Sequence, residues 1–327
     1  MMLQSNLLLY IFVFLFTLAS TVLLSRLIIP FLKSRAKQPI YEDGPRWHMS
    51  KSGTPTMGGI SFIISILIAL LLCALYLFMS DDPNGAFSIL ICVGYALLNA
   101  IIGITDDLTK LRHKQNAGLT PRAKLILQFT VSGLFLIARI LVLNEGTNIS
   151  FSFGNIDLGI FYYFLSLIIL VGITNCANLT DGIDGLASSV AFGIGVSVFY
   201  FSYLRQESAA FISAALIGAT VGFMAFNIHP ARIFMGDTGS LFLGSIVAAL
   251  SFEMKNPLAA VSYGGVYVIE GVSVILQVAV YKIRKKRLFK MAPIHHHLEK
   301  CGWDENKICL LAIIVTLLSS ATAILYL

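Results

Sequence analysis

Apolar runs of about 17–25 residues recur from one end of this chain to the other, and that recurrence limits its fold more than any other feature. A helix rises 1.5 Å per residue, so roughly 20 apolar residues cross about 30 Å of hydrocarbon. Inside that layer every backbone polar group has to be satisfied within the segment, which favours helices. Runs of this length lie near 7–29, 58–79, 86–105, 124–143, 160–177, 185–203, 210–227, 238–253, 260–281 and 308–326. The expected fold is an all-α polytopic membrane protein of about ten transmembrane helices. Composition agrees, since 57% of the 327 residues are hydrophobic and 12% charged, whereas a soluble domain carries about a quarter charged residues. One membrane domain over 1–327 is simpler than the two or three soluble domains that length alone would allow.

The first run has no basic residue ahead of it and no small-residue cleavage site after it, so it is expected to be a retained span. Cys73, Cys92, Cys176, Cys301 and Cys309 are scattered without metal-ligand spacing, and no disulfide framework is implied. The net charge of +6 resides almost entirely in loops between the runs, where membrane topology explains it and nucleic acid is not needed. If the loop holding Lys33, Arg35, Lys37, Arg46 and Lys51 faces the cytoplasm, alternation puts Lys110, Arg112, Lys114 and Arg122 there as well. Arg232 and the run Arg284, Lys285, Lys286, Arg287 and Lys290 follow on the same side. The opposite loops hold little more than Arg205 and Lys255. Both termini are therefore expected outside, with inner loops near 31–57, 106–123, 177–184, 228–237 and 282–307. Outside, NISFSFGNIDL at 148–158 alternates apolar and polar residues around Gly154-Asn155, the pattern of a small β-hairpin.

Every strong polar cluster falls at the inner ends of the spans. Asp106 and Asp107 are adjacent carboxylates that need water, a cation or Lys110 to stay ionised together; the plainer reading is a helix that ends in water. If 178–184 is helical, Asn178, Asp181 and Asp184 share a face suited to a cation, a sugar or a phosphate-bound Mg²⁺. Its plainer reading is a helix start capped by Thr180 or Asp181. Asp237 sits between Gly236 and Thr238 ahead of an apolar span, a hard oxygen ligand beside helix N–H groups that suit phosphate. His295, His296 and His297 follow a basic run. Three consecutive histidines lack the i, i+4 spacing of a zinc helix, so phosphate contact is preferred over zinc. For the basic run alone, an anionic lipid surface is the plainer partner. Charge counting links these loops: joining a phosphomonoester, with about −1.5 to −2 charges, to a diphosphate requires neutralisation. Carboxylates would add to the repulsion unless they hold Mg²⁺.

Five strings, GTPTMGG at 53–59, DDLTK at 106–110, NLTDGIDGLA at 178–187, FMGDTGSL at 234–241 and APIHHHLEKCGW at 292–303, resemble the bacterial phospho-N-acetylmuramoyl-pentapeptide transferase family. That family lies within the polyprenyl-phosphate N-acetylhexosamine-1-phosphate transferases. The resemblance covers roughly 44–303, in the family's order. It implies transfer of phospho-N-acetylmuramoyl-pentapeptide (phospho-MurNAc-pentapeptide) from its UDP-sugar to undecaprenyl phosphate, giving lipid I and UMP, with Mg²⁺ as cofactor. It also implies a ten-span homodimer in the bacterial plasma membrane. By motif, the resemblance makes Asp237 the Mg²⁺ ligand and puts Asp106 and Asp107 by the lipid phosphate, with Asp181, Asp184 and Asn178 near the nucleotide-sugar. Lys51, Lys110 and Lys124 are implied to meet phosphates or nucleotide, Asn227 and Phe234 to line the nucleoside pocket, and His295, His296 and His297 to contact the diphosphate. The family's basic position in the second inner loop falls on Arg122 or Lys124.

Two mechanisms fit these residues: direct attack by the lipid phosphate, or prior attack by an aspartate to form a covalent intermediate. Other functions compete. A sister transferase that loads N-acetylglucosamine phosphate shares the Asp motifs but is disfavoured by the triple histidine. A secondary transporter should carry charged or broken helices near the midplane, where Glu270 and Gln277 are its best features. A non-catalytic lipid-binding scaffold is the third.

Overall fold

The computed structural model describes residues 2–36, 51, 53–113, 118–205 and 208–323. Expectations for Lys37, Arg46 and Lys114, and for most of the segment 31–57, fall outside them. The chain forms α1 (Met2–Arg35), α2 (Gly59–Met79), α3 (Pro83–His113), α4 (Pro121–Leu143), β1 (Asn148–Phe151), β2 (Gly154–Asp157), α5 (Ile160–Thr180) and α6 (Leu186–Arg205). It continues through α7 (Ala209–Asn227), α8 (Gly236–Glu253), α9 (Ala259–Tyr263), α10 (Gly265–Arg284), α11 (Ile294–Glu299) and α12 (Glu305–Ala321). Eight of these helices are long and apolar enough to cross a membrane. With α8, at 18 residues, and α12, at 17 residues, the expected number of about ten is met.

The span expected at 260–281 is interrupted: α9 ends at Tyr263 and α10 begins at Gly265. The Gly264-Gly265 pair explains the break, because glycine in a helix interior costs about 0.5–1 kcal/mol relative to alanine. The hairpin forms, but Phe151 pairs with Gly154, so its loop is Ser152-Phe153 and not Gly154-Asn155. Gly154 instead opens β2 at φ +139°, a backbone conformation that L side chains rarely adopt.

α8 lies at the centre, buried from Thr238 to Glu253 and packed against α2, α3 and α5. A helix apolar on every side belongs in such a core. Between helices in lipid, close backbone packing replaces the hydrophobic drive, which favours small residues. Gly218 and Gly222 of α7 supply them against α1: a Cβ on Gly218 would lie 2.2 Å from the Phe14 carbonyl oxygen, and one on Gly222 2.8 Å from that of Leu18.

At the end of the bundle away from the motif residues, Arg139 of α4 reaches Glu253 of α8 at 2.6 Å and also pairs with Glu145. Glu253 further accepts hydrogen bonds from Ser88, at the start of α3, and from Ser208, just ahead of α7. One carboxylate thus ties α3, α4 and α8 to the residue that precedes α7. Sequence reading missed this knot because both charges lie inside apolar runs.

Candidate active site

Seven helix ends and the segment before α2 converge at the opposite end of the bundle. Asp107, on α3, closes the N-terminus of α8. Its carboxylate accepts the backbone N–H of Asp237 at 3.2 Å, that of Thr238 at 2.9 Å and the Thr238 hydroxyl at 2.8 Å. A helix N-terminus has unpaired N–H groups and a partial positive charge, and here another helix caps it. Two glycines permit the approach. A Cβ on Gly103 would lie 2.3 Å from the Asp237 carbonyl oxygen, and Gly236 holds φ +71° with its would-be Cβ 2.5 Å from Asp107 Oδ2.

Asp237 is thereby brought beside two ammonium groups and an amide. Lys124 Nζ lies 2.6 Å and Lys110 Nζ 3.1 Å from Asp237 Oδ2, while Asn178 donates to Asp237 Oδ1 at 3.0 Å. Asp106 pairs with Lys110 at 2.6 Å and accepts the Leu119 N–H at 2.8 Å. Of the two basic residues left open in the second inner loop, Lys124 reaches the cluster, and Arg122 is exposed. Asp106, Asp107 and Asp237 offer oxygens all within 4.8 Å of one another. Three carboxylates on two helix ends are hard oxygen donors and fit an oxygen-preferring divalent cation. Lys110 and Lys124 balance the charge around them.

The expected single face of Asn178, Asp181 and Asp184 does not form. α5 ends at Thr180, and 181–185 is a turn rather than helix, because Gly182 and Gly185 interrupt it and Gly185 takes φ +81°. Thr180 and Asp181 thus close a helix instead of opening one. Asn178 faces Asp237, whereas Asp184 turns to a second cluster with Lys51, His229 and Glu305. Half-buried Asp181 donates its backbone N–H to the Asn178 carbonyl, but its carboxylate has no hydrogen-bond or ion-pair partner among the described residues. Burial, with the Asp237, Asp107 and Asp184 carboxylates adding to it, pushes its carboxyl well above the usual carboxylate range.

The three histidines point three ways from α11. His295 is fully buried, with Nδ1 3.0 Å from Glu270 Oε2. Its Nε2 has no hydrogen-bond partner among the described residues and lies 2.3 Å from where a Cβ on Gly182 would stand. His296 pairs with Glu299 at 2.6 Å. His297 accepts the Lys290 N–H at 3.1 Å. Gln277 binds the N–H groups of Leu288 and Phe289, so both residues that favoured a transporter serve to anchor the last inner loop. Both ends of the Asn227 amide are used within the protein, on Ile233 and Ser188, which fixes the loop carrying half-buried Phe234. Pro55 and Gly58 pair with the Phe234 backbone across that loop.

Glu270, His229 and Glu305 were not singled out as site residues. Glu270 was legible only as a polar residue in a span, His229 only as part of the fourth inner loop, and Glu305 lies beyond the last motif.

A bundle of helices long and apolar enough to cross a membrane, with acids, lysines and histidines gathered at one end, fits the class of membrane transferases. In agreement, 89–255 match the profile of Glycosyl transferase family 4, and 51–63 match phospho-N-acetylmuramoyl-pentapeptide-transferase signature 1. The chain is 41% identical over 309 residues to the phospho-N-acetylmuramoyl-pentapeptide-transferase of Halalkalibacterium halodurans, covering 93% of each chain. It is 43% identical over 298 residues to that of Clostridium perfringens, covering 90% of this chain and 89% of the relative. With that of Shouchella clausii it shares 42% over 305 residues, 91% of each. The chain belongs to the phospho-N-acetylmuramoyl-pentapeptide-transferase family, and it is a multi-pass bacterial membrane protein.

Proposed function

We propose that this protein transfers phospho-MurNAc-pentapeptide from its UDP-sugar to undecaprenyl phosphate, giving lipid I and UMP, as a single Mg²⁺-dependent membrane domain. The observation that carries the reading is the meeting of Asp106, Asp107 and Asp237 with Lys110, Lys124 and Asn178 at one end of the bundle. Asp237 is the Mg²⁺ ligand, with Asp106 and Asp107 beside it. When bound, the ion supplies charge neutralisation between phosphates and stabilises negative charge on a leaving phosphate.

The chain's own residues bind and orient. Lys110 and Lys124 offset phosphate charge, and His295 presents Nε2 toward the 181–185 turn, while Lys51, Asp181 and Asp184 serve the nucleotide-sugar. Asn227 and Phe234 line the nucleoside pocket, with His296 and His297 at the diphosphate side. A lipid phosphate oxygen forms the new bond to the β-phosphorus, and the bond from that phosphorus to the UMP oxygen breaks. Direct attack is favoured over attack by Asp106 or Asp107 because both oxygens of Asp107 accept hydrogen bonds from α8, and Asp106 is held by Lys110 and Leu119 N–H, so neither is a free nucleophile. A phosphorylated aspartate trapped in a single turnover without lipid acceptor contradicts this step. A phosphomonoester with a second pKa of about 6 is largely ionised at neutral pH, so no strong base is required.

The active end faces the cytoplasm, with both termini outside, in a homodimer of the bacterial plasma membrane. Support for the orientation is the basic residues gathered at the same end as the acids. The testing experiment offers purified protein two nucleotide sugars with undecaprenyl phosphate. UMP release is expected with UDP-MurNAc-pentapeptide and not with UDP-N-acetylglucosamine; the reverse preference overturns the reading in favour of the sister transferase.

A further inference from the structure

A second charged cluster stands apart from the Asp237 centre and draws on four distant parts of the chain, at Lys51, Asp184, His229 and Glu305. Lys51 Nζ lies 2.7 Å from Asp184 Oδ1 and 2.7 Å from Glu305 Oε2. The same Glu305 oxygen accepts the backbone N–H of Asp184 at 2.8 Å. His229 Nδ1 is 3.0 Å from Asp184 Oδ2 and 3.3 Å from Glu305 Oε1. Asp184 Oδ2 also accepts the Ala231 N–H at 3.0 Å. Both carboxylates are buried.

Asp184, His229 and Glu305 have the spacing of a cation site, but the Lys51 ammonium already bridges the two carboxylates. The cation of this cluster is borne by the chain itself. A lysine stem has four rotatable carbons, and one partner leaves its ammonium free to swing; two charged acceptors fix it. Glu305 does more than pair, because the oxygen that holds Lys51 also holds the backbone of the turn that presents Asp181 and Asp184. A residue at the start of the last helix, outside every motif, therefore sets the relative position of two groups that the proposed function assigns to the nucleotide-sugar. Cys309, one turn further along α12, adds a contact to the Asp184 carbonyl at 3.3 Å.

We infer that Glu305 is a positioning residue for nucleotide-sugar binding, acting through Lys51 and the 181–185 turn without touching the reacting atoms. The inference rests on the reading that Lys51 and Asp184 serve the nucleotide-sugar. UMP release is measured against nucleotide-sugar and lipid phosphate concentration for the parent, Glu305→Gln, Lys51→Met and the double variant, with the unfolding temperature of each. Glu305→Gln is expected to raise KM for the nucleotide-sugar about 10-fold, the scale of one charge-assisted hydrogen bond. KM for the lipid phosphate stays near the parent's. Because Glu305 works through Lys51, the double variant is expected to be no worse than Lys51→Met alone, and Glu305→Asp, which keeps the charge, to recover part of the loss.

An unchanged nucleotide-sugar KM in Glu305→Gln overturns the inference, as do losses that multiply in the double variant or that follow the unfolding temperature alone. Should Glu305→Gln fail to fold, Glu305→Asp carries the test: its KM must rise for the nucleotide-sugar only, and a parental KM overturns the inference. If Lys51→Met itself leaves that KM unchanged, the assignment of Lys51 fails and the inference with it. If Lys51→Met raises KM and Glu305→Gln does not, the assignment stands and the inference alone falls.

Discussion

Asp107 and Asp181 carry the same side chain in one site and are held differently. The first is surrounded by donors at the start of α8; the carboxyl of the second has no such donor, and burial with the Asp237, Asp107 and Asp184 carboxylates, opposed by Lys110, pushes it up. A carboxyl raised in the folded state keeps its proton at pH values where the unfolded chain, at about 3.9, has released it. The folded state then binds more protons, so stability falls as pH rises from about 4 through the raised value. Asp181→Asn removes that penalty. In chelator, its unfolding temperature is expected to exceed the parent's at pH 7, with the gain shrinking toward pH 4; a gain of equal size at both pH values contradicts the assignment. The motif acids and lysines were legible in the sequence because each stands beside glycines or other charges at the end of an apolar run. Glu305 and His229 were not, since a contact joining 51, 184, 229 and 305 leaves no local pattern.

Whole helices were the most legible level, because the length needed to cross hydrocarbon is set by physics and shows directly in the apolar runs. Three boundaries went unread. α3 continues past 105 to His113, so Asp106, Asp107 and Lys110 stand on its last turns, and apolarity ends before the helix does. The turn at 181–185 and the break at Gly264 both follow glycines whose effect depends on neighbouring elements. Packing between elements gives a direct test at Gly218, where any side chain meets the α1 backbone. Gly218→Val is expected to lower stability by about 1–3 kcal/mol, as overpacking does, read from the unfolding temperature in detergent. Gly94→Ala, on α3 with open space around it, is expected to change it little or raise it slightly. Equal losses from both contradict the close α1 and α7 contact.

For the molecule as a whole, alternation of spans required the five inner loops to share one side; ion pairs join α3 and α4 to α8, and the segment before α2 to α12 and the 181–185 turn, while Asn178 of α5 links the two groups through Asp237. Sidedness is open to labelling: exposed Cys301 is expected to react with a membrane-impermeant maleimide only in inside-out vesicles. A Ser152→Cys hairpin variant is expected to react only from the outer face, and labelling of both from one side overturns the topology. If separate helices hold a divalent ion between two phosphate-bearing reactants, one titration shows it most directly. UMP release from UDP-MurNAc-pentapeptide and undecaprenyl phosphate is followed as divalent cations are chelated and Mg²⁺ is restored, in the parent and in Asp237→Ala. Release is predicted to stop with chelation, to return with Mg²⁺ in the parent, and to stay more than about 100-fold lower in Asp237→Ala, beyond the usual cost of disturbing a metal ligand's supports. Undiminished release with every divalent cation chelated would contradict it.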